Sequence, residues 1–88
     1  MNGPAPLNVT IARFVKNKRE AVVIGLTEFK GVRLIDMRVF AATDEGDRPT
    51  PKGLALDVRR LPQLKQAIQR AEDEARRRGL LQPEEGDA

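Results

Sequence analysis

EFKGVRLIDMRVFA at residues 28–41, followed after a charged connection by PTPKGLAL at 49–56, is the stretch that decides the fold. Phe29, Lys30 and Gly31 make a tight turn between two runs of strand-forming residues. Gly suits such a turn because hairpin connections call for positive φ. Before the turn, Val22, Ile24 and Leu26 alternate with Val23, Gly25, Thr27 and Phe29. After it, Ile35, Met37 and Val39 alternate with Leu34, Asp36, Arg38 and Phe40. A period of two places each set on one face of a strand. Gly25 in mid-strand points to a bulge, a bend or a close backbone approach.

Working outward, residues 7–16 alternate Leu7, Val9 and Ile11 with Asn8, Thr10 and Ala12, which gives a further strand ahead of the polar KNKRE turn at 16–20. TDEGDRPTPK at 43–52 reads as a loop, being acidic and carrying Gly46, Pro49 and Pro51. Residues 54–56 are a short candidate fourth strand. Asp57 can cap a helix, and Leu61, Leu64, Ile68, Ala71 and Ala75 recur at spacings of three and four. Pro62 implies a separate or tightened first turn, with the regular helix starting near it. Gly79 is the natural stop. Residues 1–6 read as a loose leader, 7–81 as one domain and 82–88 as an acidic frayed tail. The expected class is α+β: a four-stranded antiparallel sheet followed by one C-terminal helix, β-β-β-β-α.

One helix covers only one face of such a sheet. The face of Val22, Ile24, Leu26, Ile35, Met37 and Val39 is the more apolar and is assigned to it. With 88 residues the core is small, and self-association would add buried area. The helix stripe contains small Ala residues that let a second helix approach. A twofold dimer through Leu64, Ile68, Ala71 and Ala75 is therefore expected, against the alternative of a monomer whose stripe packs on its own sheet.

The chain has no Cys and no His. Thiolate nucleophiles, imidazole bases and the usual zinc ligands go with them. Neither a phosphate loop nor a metal-spaced acidic cluster is present, so neither an enzyme nor a cofactor is expected. No apolar run approaches the ~20 residues of a membrane span, and an intracellular setting is expected. Residues 1–60 hold 11 Lys and Arg against 7 Asp and Glu, while residues 61–88 hold 5 against 6. The positive excess thus lies on the strand-rich part, which suggests a polyanionic partner beside the plainer reading of solubility.

With hairpin, loop and helix in this order, the chain resembles the transcriptional coactivator p15 family, also called the positive cofactor 4 family. The residues that carry the likeness are EFKG at 28–31, LIDMR at 34–38, Pro49 with PKGLAL at 51–56, and LKQAI at 64–68. The likeness runs from near Ile11 to about Arg78. It implies a curved four-stranded sheet followed by a helix, a homodimer built on the helices, and binding of single-stranded DNA or melted duplex by the β-hairpins. It also implies possible contact with the transcription machinery. Without a Ser-rich leader the chain resembles a compact core-only member, which points to a bacterial or phage source; the setting would be cytoplasm or nucleoid there, and the nucleus in a eukaryote.

Single strands are held by cations along the phosphates and by aromatic faces that stack on bases. Phe29 matches the family's stacking aromatic, its other reading being a core or hairpin-closing residue. Lys30 and Lys52 match basic positions of the family, and Arg33 stands in for a lysine often placed one residue earlier. Arg38 matches the strand arginine, and equally fits an ion pair with Asp36. Lys16, Lys18 and Arg19 extend the track or form only a solvated turn. Arg76, Arg77 and Arg78 are read as partners of the helix dipole. Ala41 departs from the family, which often has a large aromatic there, and the chain has no Trp or Tyr. Binding is therefore expected to lean on charge. RNA binding, or a protein-interaction dimer without nucleic acid, are the alternatives.

Overall fold

The computed structural model describes residues 6–82. The expected leader at 1–6, apart from Pro6, and the tail at 82–88, apart from Gln82, lie outside the described residues. Four strands, β1 (Asn8–Asn17), β2 (Glu20–Phe29), β3 (Val32–Thr43) and β4 (Gly46–Asp57), precede a 3-10 turn (Val58–Arg60) and the helix α1 (Leu61–Arg77). The strands form one antiparallel meander in the order β1-β2-β3-β4. The sheet and the helix belong to two compact units that meet between Val58 and Arg59, and each is described by itself.

In the sheet, β2 and β3 pair without interruption from Glu20↔Ala41 to Phe29↔Val32. Lys30 and Gly31 both have positive φ, +52° and +82°, as a two-residue turn of this hand requires. The register sets Val22 opposite Val39, Ile24 opposite Met37 and Leu26 opposite Ile35. β1 adds Phe14 beside Val22, and β4 adds Leu54 beside Met37 and Leu56 beside Ile35. One face is thus apolar, as its alternation required. Ile35 is buried between its cross-strand neighbours Leu26 and Leu56.

The other face carries Ala21, Val23, Arg38, Phe40 and, from β1, Arg13. Arg13 and Asp47 belong to the two edge strands, yet Arg13 Nη2 donates to Asp47 Oδ2 at 2.7 Å. Strand spacing alone would put those edges about 14 Å apart in a flat sheet. The sheet is therefore curled toward this face, and Ala21 lies buried beneath the bridged edges. In β2, Gly25 permits a close approach: a Cβ there would stand 2.9 Å from the Val9 carbonyl oxygen, beside the register shift between Thr10 and Ala12.

The expected loop at 43–52 is instead mostly strand. β4 begins at Gly46, and Asp47, Arg48 and Pro49 pair with Ala42, Ala41 and Phe40. The composition misleads because β4 is an edge, where a proline lacking its N–H is tolerated. The pairing then slips: Val39 faces three residues, Thr50 to Lys52, before Arg38↔Gly53 restores the ladder. Thr50 Oγ1 donates to the Val39 carbonyl at 2.7 Å and closes this wide bulge. Gly53 ends it with φ +147°, and a Cβ there would meet the Met37 carbonyl oxygen at 2.3 Å.

The helix starts near Pro62 as expected, but its cap position is Arg60, without a side-chain cap hydrogen bond, rather than Asp57, because the 3-10 turn intervenes. A separate 3-10 turn follows Asp57, and α1 opens with Pro62 in its first turn, where a missing N–H costs little. Its end is a Schellman motif: Leu80 N donates to Ala75 O at 2.8 Å and Gly79 N to Arg76 O at 3.0 Å. Arg76 pairs with Glu72, and Arg77 and Arg78 both pair with Glu74. No residue of α1 is buried.

Gly53→Ala is expected to lower stability by about 3 kcal/mol or more, because it adds a positive-φ strain to a backbone clash. Urea denaturation of the two forms measures it; an unchanged midpoint would contradict the bulge geometry.

Candidate nucleic-acid interface

The candidate side chains fall into three groups along the sheet. The first is the β2–β3 turn. Phe29 is 62% exposed, so the described chain does not use it as core. The Lys30 ammonium stands 5.3 Å from the centre of its ring, an attractive cation–π placement. Arg33, exposed, lies one step into β3 opposite Glu28.

The second group is at mid-sheet, on the face that Phe29 shares. Arg38 Nη2 and Nε donate to Asp36 Oδ1 and Oδ2 at 2.9 and 3.3 Å. Its Nη1 donates to the Thr50 carbonyl at 3.0 Å. Both side chains of the pair are about a quarter exposed or less, 24% and 22%. The hydrogen bond and charge of Asp36 push the Arg38 pKa up from its already high value. The Asp36 ion pair read from the sequence is thus present, and the same guanidinium also serves the bulge. Phe40 on the same face is half-buried.

The third group is at the opposite end, where the β1–β2 and β3–β4 turns lie. Lys16 Nζ and Asn17 Nδ2 both donate to Glu20 Oε1, at 2.9 and 2.8 Å. Lys52, carried by the bulge, brings its Nζ to 3.6 Å from Glu20 Oε2. Lys18 and Arg19 form the exposed turn beside them, and Arg19 N donates to Asn17 Oδ1 at 3.0 Å. A shallow hollow of about 80 Å³ lies here, lined among others by Arg13, Lys18, Arg19 and Asp47. It is far smaller than the several hundred Å³ of small-molecule pockets.

Phe29 and Glu20 bracket β2, so these end groups lie about 30 Å apart along the strand. Lys52 therefore stands with Lys16 and Glu20 rather than beside Phe29 and Lys30. The helix residues Leu64, Ile68, Ala71 and Ala75 lie on the stripe of α1, with Ile68 well exposed. Among the described residues no cluster of acids, Cys or His could hold a metal ion, and no helix is long and apolar enough to cross a membrane. Residues that sequence reasoning passed over are Glu20, Arg13, Thr50 and Gly53. Glu20 carried a signal, since it stands four residues after Lys16 at the close of a basic turn.

The Asn17 and Lys16 hydrogen bonds, aided by the charges of Lys16 and Lys52, lower the Glu20 pKa from 4.5 to about 2. A depressed carboxyl pKa adds stability that is present above pH 4.5 and is lost as pH falls through 2. A carbon-detected NMR titration of the Glu20 carboxyl should find its midpoint near 2. Asn17→Ala should move it upward; a wild-type midpoint at the ordinary carboxylate value would contradict the cluster.

No curated protein and no solved structure matches the chain. The model of one protein family, described as Transcriptional Coactivator p15 (PC4), matches residues 16–67. That span holds the whole of β2, β3 and β4, and with them all the candidate side chains of the sheet. The chain belongs to the Transcriptional Coactivator p15 (PC4) family.

Proposed function

We propose that the protein binds single-stranded DNA with little regard to sequence, as a homodimer acting in transcription or in DNA replication and repair. The observation that carries this reading is Phe29, exposed at a tight turn with the Lys30 ammonium against its ring. A base stacked on that ring brings its phosphate within reach of Lys30, so stacking and charge act on the same nucleotide, while Arg33, opposite Glu28, adds charge at the other face of the turn. Family membership supports the same reading. At the far end, the exposed Lys18 and Arg19 turn would receive the strand's continuing backbone, and Lys16 and Lys52, gathered on Glu20 at the face of Val22, would meet it where it rounds the end of the sheet. Of the other aromatics, Phe14 is nearly as exposed, at 56%, but lies on the opposite, apolar face, and Phe40 is half-buried. Affinity should therefore fall steeply with salt, with a log–log slope of about −3 for four phosphate contacts.

A second reading has its own observation. Arg13, Lys16, Arg38 and Lys52 are each engaged by an acid of the chain, as they would be in a protein-interaction dimer without nucleic acid. Fluorescence anisotropy with single-stranded DNA, matched duplex and RNA at two salt concentrations separates the readings. Tightest binding to the single DNA strand, weakened by salt, is expected. Absence of binding to all three at low salt would leave the interaction dimer, and preference for RNA would change the ligand.

Phe29→Ala should weaken single-strand binding by about 1–3 kcal/mol while folding is retained; loss of folding would reassign Phe29 to packing. Ala71→Glu, which places a charge on the helix stripe, should yield a monomer in sedimentation. A dimer that survives it would place the interface elsewhere.

A further inference from the structure

Glu20 opens β2 and is surrounded by groups from both edges of the sheet. Lys16 and Asn17 come from β1 and share its Oε1; Lys52 comes from β4 and faces its Oε2. β2 and β3 separate those edge strands. One carboxylate thus gathers two ammonium groups that the strand order alone keeps apart. Lys52 reaches it because the bulge turns its residue out of the ladder, and because the cross-strand partner of Glu20 is Ala41, whose methyl group leaves the way open. The acid is the enclosed member of the cluster, 19% exposed, while Lys16 and Lys52 are 47% and 70% exposed. The lysines are presented outward with their charge already partly answered from below.

We propose that Glu20 is an internal stand-in for a nucleic-acid phosphate: it occupies the Lys16–Asn17–Lys52 cradle in the free protein and gives it up when a strand binds there. The proposal rests on the single-strand reading above. A carboxylate and a phosphodiester are both monoanions offering oxygen acceptors to the same N–H donors. They compete for the ammonium protons of Lys16 and Lys52, and a phosphate seated on the cradle stands close to a like charge. Glu20 therefore sets the affinity of this end of the sheet, holding two exposed lysines in place while reducing what they offer a polyanion. The isosteric Glu20→Gln removes the charge, keeps an oxygen for Asn17, and frees both ammonium groups.

The test is an anisotropy salt series with a fluorescent oligothymidine long enough to span the sheet, on wild type, Glu20→Gln, Lys52→Ala and the double variant. Glu20→Gln is expected to bind about fivefold tighter at low salt, the factor set by one unit charge about 4 Å away in water. Its log–log salt slope should steepen by roughly 0.7 for each phosphate contact regained on the single strand. Lys52→Ala should cost more in the Glu20→Gln background than in wild type. If wild type binds and Glu20→Gln binds equally or more weakly with the same slope, the stand-in role is overturned and the single-strand reading stands. If neither binds at low salt, the single-strand reading falls and takes this one with it. Thermal melts check that each variant is folded; should Glu20→Gln not fold, Glu20→Ser is read by the same criteria.

Discussion

The Arg38 guanidinium fastens the outer strand to the middle of the sheet, and much of the surface depends on that tie. Its fork is filled by Asp36 on one side and by the Thr50 carbonyl on the other. The carbonyl belongs to the bulge that carries Lys52, and Gly53 returns that bulge to the ladder next to Arg38 itself. Such a pair, partly open to water, adds modestly to stability by charge alone. Its larger effect is geometric. It fixes where the two surplus residues of β4 are placed, and hence which part of the sheet receives the lysine. A one-residue slip would send Leu54 and Leu56 from the apolar face to the other one.

The same economy governs the charges. The strand-rich part of the chain is basic, yet several of its cations are held by acids: Arg13 by Asp47, Arg38 by Asp36, Lys16 and Lys52 by Glu20. Two of these pairs shape the sheet, one by drawing its edges together and one by anchoring the bulge. The Glu20 cluster does neither; it orders lysines that remain largely open to solvent. Lys30 differs again, because its neighbour is an aromatic ring rather than a carboxylate. The β2–β3 turn therefore offers both stacking and charge, and the far end offers charge that an incoming anion must share.

The element order, the hairpin turn and both faces of β2 and β3 were legible in the alternation of Val22 to Phe40, because a period of two admits one solution once a turn is placed. The tightened turn before α1 and its stop at Gly79 were legible from Pro62 and Gly79. What misled was the stretch from Gly46 to Lys52. Its prolines and acids are ordinary loop residues, and only the open side of an edge strand lets them pair. For the candidate site, the exposure of Phe29 and its contact with Lys30 agree with the turn read from the sequence. The distance between Lys52 and Lys30 was not legible, since it depends on a bulge whose offset no local pattern encodes. The engagement of Lys16 and Lys52 by Glu20 was hidden for the same reason: half of that contact comes from a strand more than thirty positions away in the chain.

A two-dimensional amide NMR titration of the full chain with oligothymidine tests the central claim most directly. Shifts should concentrate at Phe29, Lys30 and Arg33, with a second set at Lys16 to Glu20 and Thr50 to Gly53, and should shrink as salt is raised. Shifts confined to α1, or no shifts at low salt, would contradict single-strand binding by this sheet.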